Sequence, residues 1–289
     1  KGIGMITDSQ WADVDEDKDA DLVLVGDWMA VTILYNDGGK LATHDNTVGL
    51  SGSLGWWNRL VAGDLDGDGD IDFVAGNHGL NSRFKASSEK PVRMVVNDFD
   101  QNGTWEQIIS TYNGEKSYPM ALRHDLLQQM PMLKKKYLKY ASYRDQTIAD
   151  IFTEAQMKGA VEQQSTTLAT SVIINEGGGR FTVRALPTEA QLSPVYGIAI
   201  GDFDGDGAMD ILAAGNSDYS KPEVGSYLAG YGVFLKGDNK LNFKALKSKT
   251  TGLHITGQVR DMALISRPKG GRLIISRNND YAKEYDYKK

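Results

Sequence analysis

The chain has 289 residues and no cysteine, with only four histidines and seven prolines. Without cysteine there is neither a disulfide scaffold nor thiol chemistry, so any cross-link holding loops together must be of another kind. No apolar run reaches the ~18 residues that a membrane-spanning helix needs. HExxH, GxSxG, GxGxxG and GxxxxGK[ST] are all missing. His44, His78, His124 and His254 are scattered, as packing or surface residues are, and the expectation is that this is not an enzyme. The formal charge is −6, which together with the lack of a known binding module argues against nucleic acid as a partner. A hydrophobic fraction of 40% and a charged fraction of 24% suit one large globular core.

What the chain has in quantity is acid, and the acid is ordered. Four short loops repeat one pattern: Asp13 to Asp21 (DVDEDKDAD), Asp64 to Asp72 (DLDGDGDID), Asp98 to Glu106 (DFDQNGTWE) and Asp202 to Asp210 (DFDGDGAMD). Oxygen side chains stand at positions 1, 3, 5 and 9, namely Asp13, Asp15, Asp17, Asp21; Asp64, Asp66, Asp68, Asp72; Asp98, Asp100, Asn102, Glu106; and Asp202, Asp204, Asp206, Asp210. Position 7 varies (Asp19, Asp70, Thr104, Ala208), as a residue offering only its backbone carbonyl can. Glycine fills position 6 in three loops, and Lys18 takes that place in the first. Oxygen donors on a flexible acidic loop favour Ca²⁺ over Mg²⁺ or a transition metal. A solvated turn is also rich in Asp and Gly, but turn chemistry does not demand acids at these positions four times over.

An EF-hand would end in a bidentate Glu at position 12 and enter a helix. Those positions hold Leu24, Ala75, Ile109 and Ala213. The loops run instead into DLVLVG, DFVAGN, EQIIST and DILAAG, which read as buried strands. The repeating element is strand, cation loop, strand. A fifth unit without acids follows at Val259 to Ile265 and Arg272 onward. Hairpins at NDGG (Asn36 to Gly39), SVIINEGGGRFTVRAL and YGVFLKGDNKLNFKAL supply third and fourth strands, the middle one being assigned to the third unit. Repeated short-strand units predict an all-β fold of four-stranded antiparallel propeller blades.

With Trp11, Phe99 and Phe203 beside or within them, these loops resemble FG-GAP/VCBS repeats of integrin-α-like propellers and bacterial secreted proteins. SYPMALRHDLLQQMPMLKKKYLKYASY and LSPVYGIAIGDFDGDGAMDIL are similar to bacterial surface proteins related to the cartilage acidic protein group. The resemblance covers nearly the whole chain. It implies a β-propeller carrying about four Ca²⁺ ions that binds rather than catalyses, exported to the cell surface or secreted, where loops of ordinary affinity fill with calcium. Such propellers usually have seven blades, so the five units, read as one domain over residues 1–289, are open to being the C-terminal part of a longer one. Two departures stand out: Lys18 in the first loop, and the fifth unit's lost acids.

A helical insertion is expected at about 118–167, from the stripe Leu122, Leu126, Met130, Leu133, Tyr137, the break at Pro131 and a capping box from Thr153 to Gln156. It reads as a cap on the propeller or as a docking arm, with Lys134, Lys135, Lys136 and Lys139 as its basic face. A ligand is expected where second strands leave the sheet, opposite the acidic loops: Asp27, Trp28, Asn77, His78, Asn113, Asn216, Asn278 and Asn279, joined by Trp56, Trp57 and Tyr196. The expected partner is a protein or glycan at the cell surface, or a neighbour in an outer-membrane complex. The alternative is a polysaccharide lyase or hydrolase working on that same side.

Overall fold

The structure, a computed structural model, describes residues 2–218, 225–267 and 270–288. The chain is mostly β and forms two compact units, Lys1–Arg83 with Leu168–Lys289, and Phe84–Thr167.

In the first unit the opening sheet runs β1 (Met5–Ala12), β2 (Asp21–Met29), β3 (Thr32–Asn36), β4 (Leu41–Ala42), with β5 (Gly55–Trp56) added beside β2. The second sheet begins with β6 (Arg59–Gly63) and β7 (Asp72–Gly76). The chain then builds the whole second unit: β8 (Val92–Asn97), β9 (Glu106–Asn113), β10 (Lys116–Pro119), α1 (Arg123–Gln129), α2 (Ile148–Ile151), α3 (Glu154–Met157) and β11 (Val161–Ser165). Only afterwards do β12 (Ser171–Asn175) and β13 (Phe181–Ala185) complete the sheet that β6 and β7 began, in the order β13-β12-β7-β6. The hairpin SVIINEGGGRFTVRAL therefore belongs to the second acidic loop and not to the third. The reason is pairing: Val172 lies opposite Val74 and Ile173 opposite Phe73, joining two strands buried on both faces. The interruption accordingly starts at Phe84, well before the helical stretch expected at 118–167.

The next sheet is β14 (Val195–Gly201), β15 (Asp210–Gly215), β16 (Val233–Lys236), β17 (Lys244–Leu246), and the last is β18 (Val259–Arg267), β19 (Gly270–Arg277), β20 (Lys283–Tyr287). All pairings in these sheets are antiparallel. The sheets stack in sequence through their apolar faces. Val23, Val25, Ile33, Leu60, Phe73 and Ile173 form a core between the first two. Val74, Val172, Ile198 and Ile211 fill the next, and Leu212, Val259, Met262 and Ile275 the last. Faces buried on both sides explain why β2, β7, β12 and β15 read as continuous apolar runs rather than alternating ones. Arg59 on β6 ties the first strands together, its guanidinium 2.6 Å from Asp261 on β18 and 3.6 Å from Asp8 on β1.

The second unit is a sheet ordered β10-β9-β8-β11 under a helical cover. Its core joins Val95, Phe99 and Ile108 to Leu126, Met130, Leu133 and Tyr137 of the expected stripe and to Ile151 and Phe152, whereas Leu122, expected in that stripe, is exposed just before α1. Pro131 opens a 3-10 turn that ends α1, and Thr153 with Gln156 makes a reciprocal capping box. None of the described helices is long and apolar enough to cross a membrane.

Candidate cation loops and an aromatic cluster

Each acidic loop joins the first and second strands of its sheet, and all four are wired alike. The position-1 carboxylate accepts from backbone N–H groups within the loop: Lys18 for Asp13 (3.0 Å), Gly67 for Asp64 (2.7 Å), Gly103 for Asp98 (2.9 Å) and Gly205 for Asp202 (2.7 Å). The position-5 oxygen accepts from the N–H of position 7, at 2.9 Å for Asp17, Asp68 and Asp206 and 2.7 Å for Asn102. Positions 4 and 6 adopt positive φ in every loop, the glycines at 81° to 100° and Glu16, Lys18 and Gln101 at 64°, 78° and 58°. Lys18 thus holds a left-handed conformation that costs a non-glycine residue about 1 kcal/mol.

Position 9 does something the spacing alone does not reveal. Asp21, Asp72, Glu106 and Asp210 are buried and accept the N–H of position 2 at 2.9, 3.1, 3.0 and 3.1 Å. In the first unit the second oxygen takes an N–H from the end of the third strand or just beyond it: Asn36 and Asn175 at 2.9 Å, Gly237 at 3.0 Å. One carboxylate therefore closes its loop and pins the next hairpin. Asn175 also donates its amide to Val14 O at 2.9 Å, linking the second sheet to the first loop.

Three acids in each loop bring ligand atoms within 4.8 Å of one another: Asp13, Asp15, Asp17; Asp64, Asp66, Asp72; Asp98, Asp100, Glu106; and Asp202, Asp204, Asp206. Asp13 Oδ1, Asp19 Oδ1 and Asp100 Oδ1 are buried without a hydrogen-bond partner, a state that costs free energy unless a cation meets them. Asp19 departs here from a position expected to give only its carbonyl. The carboxyls carry the strain of this crowding: burial, reinforced by Asp21 and Asp17, pushes Asp15 up, burial and Asp68 push Asp66 up, and burial lifts Asp72 to about 6. A donor set of hard oxygens fits a hard cation. The fourth loop differs, because Lys236 of β16 contacts both Asp204 and Asp206, the latter at 2.6 Å, and its hydrogen bond holds Asp206 low.

One strand length away, at the exits of β2 and β7, the first unit assembles a chain of rings. Trp28 meets Trp56 edge-on at 4.9 Å, Trp56 meets His78 at 5.2 Å, and His78 meets Tyr227 at 4.8 Å. A bulge between Asp27 and Met29 in the pairing of β2 with β5 places Trp28 at φ 59°, a conformation rare for a bulky side chain and one that collects at functional sites. Tyr227 Oη is buried without a hydrogen-bond partner. Arg260 lies over the Tyr196 ring at 4.5 Å, and burial raises the Asp27 carboxyl. Trp28, Trp56, His78, Asp27 and Tyr196 were expected on this side; Tyr227 and Arg260 were not, since neither sits at a strand exit.

Several expected ligand residues have other work. Trp57 is fully buried and donates its indole N–H to Ser53 O at 2.9 Å, because alternation along the strand turns it away from Trp56 into the core. Asn77 is also buried, its side-chain oxygen accepting from the N–H groups of Trp56 and His78 at 3.3 and 2.7 Å. Asn216 clamps loops, donating to Gly230 O and Gly257 O at 2.8 and 3.0 Å. Both amides are therefore structural rather than ligand-facing. Asn113 lies in the second unit, outside this cluster. Asn278 donates its N–H to Gln258 O at 2.8 Å, and Asn279 is exposed at φ 52° at the end of β19.

Burial lowers the His78 imidazole from 6.5 to about 4. A depressed histidine leaves full stability above its unfolded value, and stability is lost as pH falls from 6.5 toward 4, where the unfolded chain takes the proton first. Denaturant unfolding at pH 7 and pH 4 is expected to show a loss of about 2–3 kcal/mol from this group, after discount for its partial exposure. The His78→Phe variant should lose correspondingly less; an identical pH slope in the two proteins would remove His78 from the account.

Residues 13–75, which hold the first two acidic loops and the strands between them, match the FG-GAP-like repeat. That stretch is similar to the FG-GAP-like repeat, and the chain as a whole is mostly β, with several four-stranded, blade-like antiparallel sheets. No curated protein matches the chain.

Proposed function

We propose that this chain is a calcium-binding recognition module, exported to the cell surface or secreted, that holds a protein or glycan ligand without turning it over. The four acidic loops are its Ca²⁺ sites: Asp13, Asp15, Asp17 and Asp19 in the first, the corresponding side chains in the others. With four ions bound, the formal charge would move from −6 to about +2. The observation that carries recognition is the run of half-buried rings from Trp28 to Tyr227, with Trp28 held in a strained conformation next to Asp27; the Tyr196–Arg260 pair is counted with it. Aromatic faces bordered by a few polar groups suit both sugar rings and peptide side chains. A membrane-associated complex is a further setting for the same role.

A second reading is a carbohydrate-active enzyme, favoured by one observation: Asp27 and His78 are both shifted by burial at this one site, and such shifts gather where acid–base chemistry occurs. The two readings separate on a glycan array run with calcium, followed by incubation of every captured polysaccharide. Binding without product release, weakened at least tenfold in Trp56→Ala and in Arg260→Ala, is the expected result. Product release would favour the enzyme, and equal binding by wild type and both variants would remove the ring cluster from the site.

A further inference from the structure

The second unit holds a cleft of about 480 Å³ at the end of its sheet remote from its acidic loop. Its floor is one face of the sheet, and the chemistry of that face changes along the strands. On β9 the residues sharing the face are Glu106, Ile108, Ser110 and Tyr112; on β8 they are Asn97, Val95 and Arg93, paired row by row with them. Ile108 and Val95 are covered by the helices as core. Beyond them the floor becomes Arg93, Ser110, Tyr112, Ser117 and Glu162, and Thr147 to Asp150 with Met157 line the cleft from the helical cover, Ile148 and Met157 also packing against the core. A cover needed only for stability would meet an apolar floor. Here polar side chains are placed beneath it instead.

We infer that this cleft is a binding site for a neutral, polyhydroxylated ligand, one or two residues of an uncharged saccharide. The volume lies within the range of small-molecule sites, about 300–1,000 Å³. Some of its charges are already paired: Arg93 Nε meets Glu162 Oε1 at 2.7 Å, and Glu115 is held by Lys90 at 2.6 Å. Asp150 is engaged by its own capping box, where it accepts the Thr147 N–H at 2.9 Å, and Lys116 further favours its ionised form. Charges of both signs line the cleft, Arg93 and Lys116 against Glu115, Asp150 and Glu162, so no cluster of like charge is there to recruit a phosphate, sulfate or uronate, and the cleft favours hydroxyls that can both donate and accept. Ser110 and Ser117, joined at 3.0 Å, supply hydroxyls on the floor, and Tyr112 supplies a ring face for the apolar side of a pyranose. The site is built from residues of the second unit alone and does not depend on the ring cluster of the first.

The test uses the full chain with calcium and saturation-transfer NMR against neutral trisaccharides (maltotriose, cellotriose, xylotriose, mannotriose), with triglucuronate as the charged comparison. At least one neutral probe is expected to bind, and to bind at least tenfold more weakly to Tyr112→Ala and to Ser117→Tyr, which fills the cleft. Trp56→Ala, in the other unit, should leave that affinity unchanged. Melting curves identify a variant that fails to fold, in which case the remaining one decides. Absence of binding by every neutral probe, equal binding of triglucuronate, or affinity indifferent to both cleft variants would each overturn the assignment.

Discussion

Excess EGTA is expected to lower the melting temperature of the first unit by about 15–30 °C and that of the second by about 10–20 °C relative to a calcium-saturated sample. Mass action sets the size of the effect: a site at a free Ca²⁺ concentration of about 100 times its Kd contributes ~2.7 kcal/mol, and three such loops about 8 kcal/mol. A unit of some 200 residues shifts roughly 2–4 °C per kcal/mol and one below 100 residues roughly 4–8 °C, so the single loop of the smaller unit still produces a visible change. The physical source is visible in the loops. Asp13, Asp19 and Asp100 each bury a carboxylate oxygen with no hydrogen-bond partner, and burial, reinforced by repulsion among neighbours, holds Asp15 and Asp66 up. Differential scanning calorimetry in calcium, in magnesium and in EGTA decides it. Superimposable calcium and EGTA curves would end the calcium reading of these loops.

The second large effect separates the metal from the scaffold. Replacing Asp72 by Ala strips the acceptor from the N–H groups of Leu65 and Asn175 as well as removing a carboxylate of the cation cluster. Each stranded buried N–H costs about 1–3 kcal/mol, so Asp72→Ala is expected to lose roughly 3–5 kcal/mol even in EGTA. Asp68→Ala is the contrast: that side chain is exposed and accepts only the N–H of Asp70. Its loss should be under about 1 kcal/mol in EGTA and appear mainly in calcium. Urea unfolding of both variants in the two buffers gives the four numbers needed. If the two variants are equally destabilised in EGTA, position 9 is a ligand position like the others and not the pin of the hairpin.

The aromatic cluster shows where sequence reasoning stops. Trp56 and Trp57 are neighbours with the same side chain, yet one joins the ring chain and the other fills the core, because successive residues of an extended segment face opposite ways and nothing local says which face is inside. Asn77 and Asn216 have the composition of ligand-binding exits, but their amides are consumed by backbone groups of loops that only the fold brings near. Tyr227 and Arg260 enter from a loop and from the start of a first strand, with no signal that sequence could offer. The nesting of the second unit was equally hidden. Its acidic loop follows the same pattern as the others, and a strand buried on both faces carries no mark of which later hairpin will pair with it.

What the amino-acid order determined by itself is the strand, cation loop, strand element and its four acidic occurrences. Ligand spacing within nine residues, left-handed glycines and apolar exits are local, so they are written where they act. Tertiary structure alone decided which hairpin closes which sheet, that the position-9 carboxylate pins it, which of two tryptophans faces outward, and that a polar floor lies open under the helices of the inserted unit. Those outcomes depend on pairing between segments separated by up to about a hundred residues, where the free energy of a contact belongs to both partners and neither sequence states it alone.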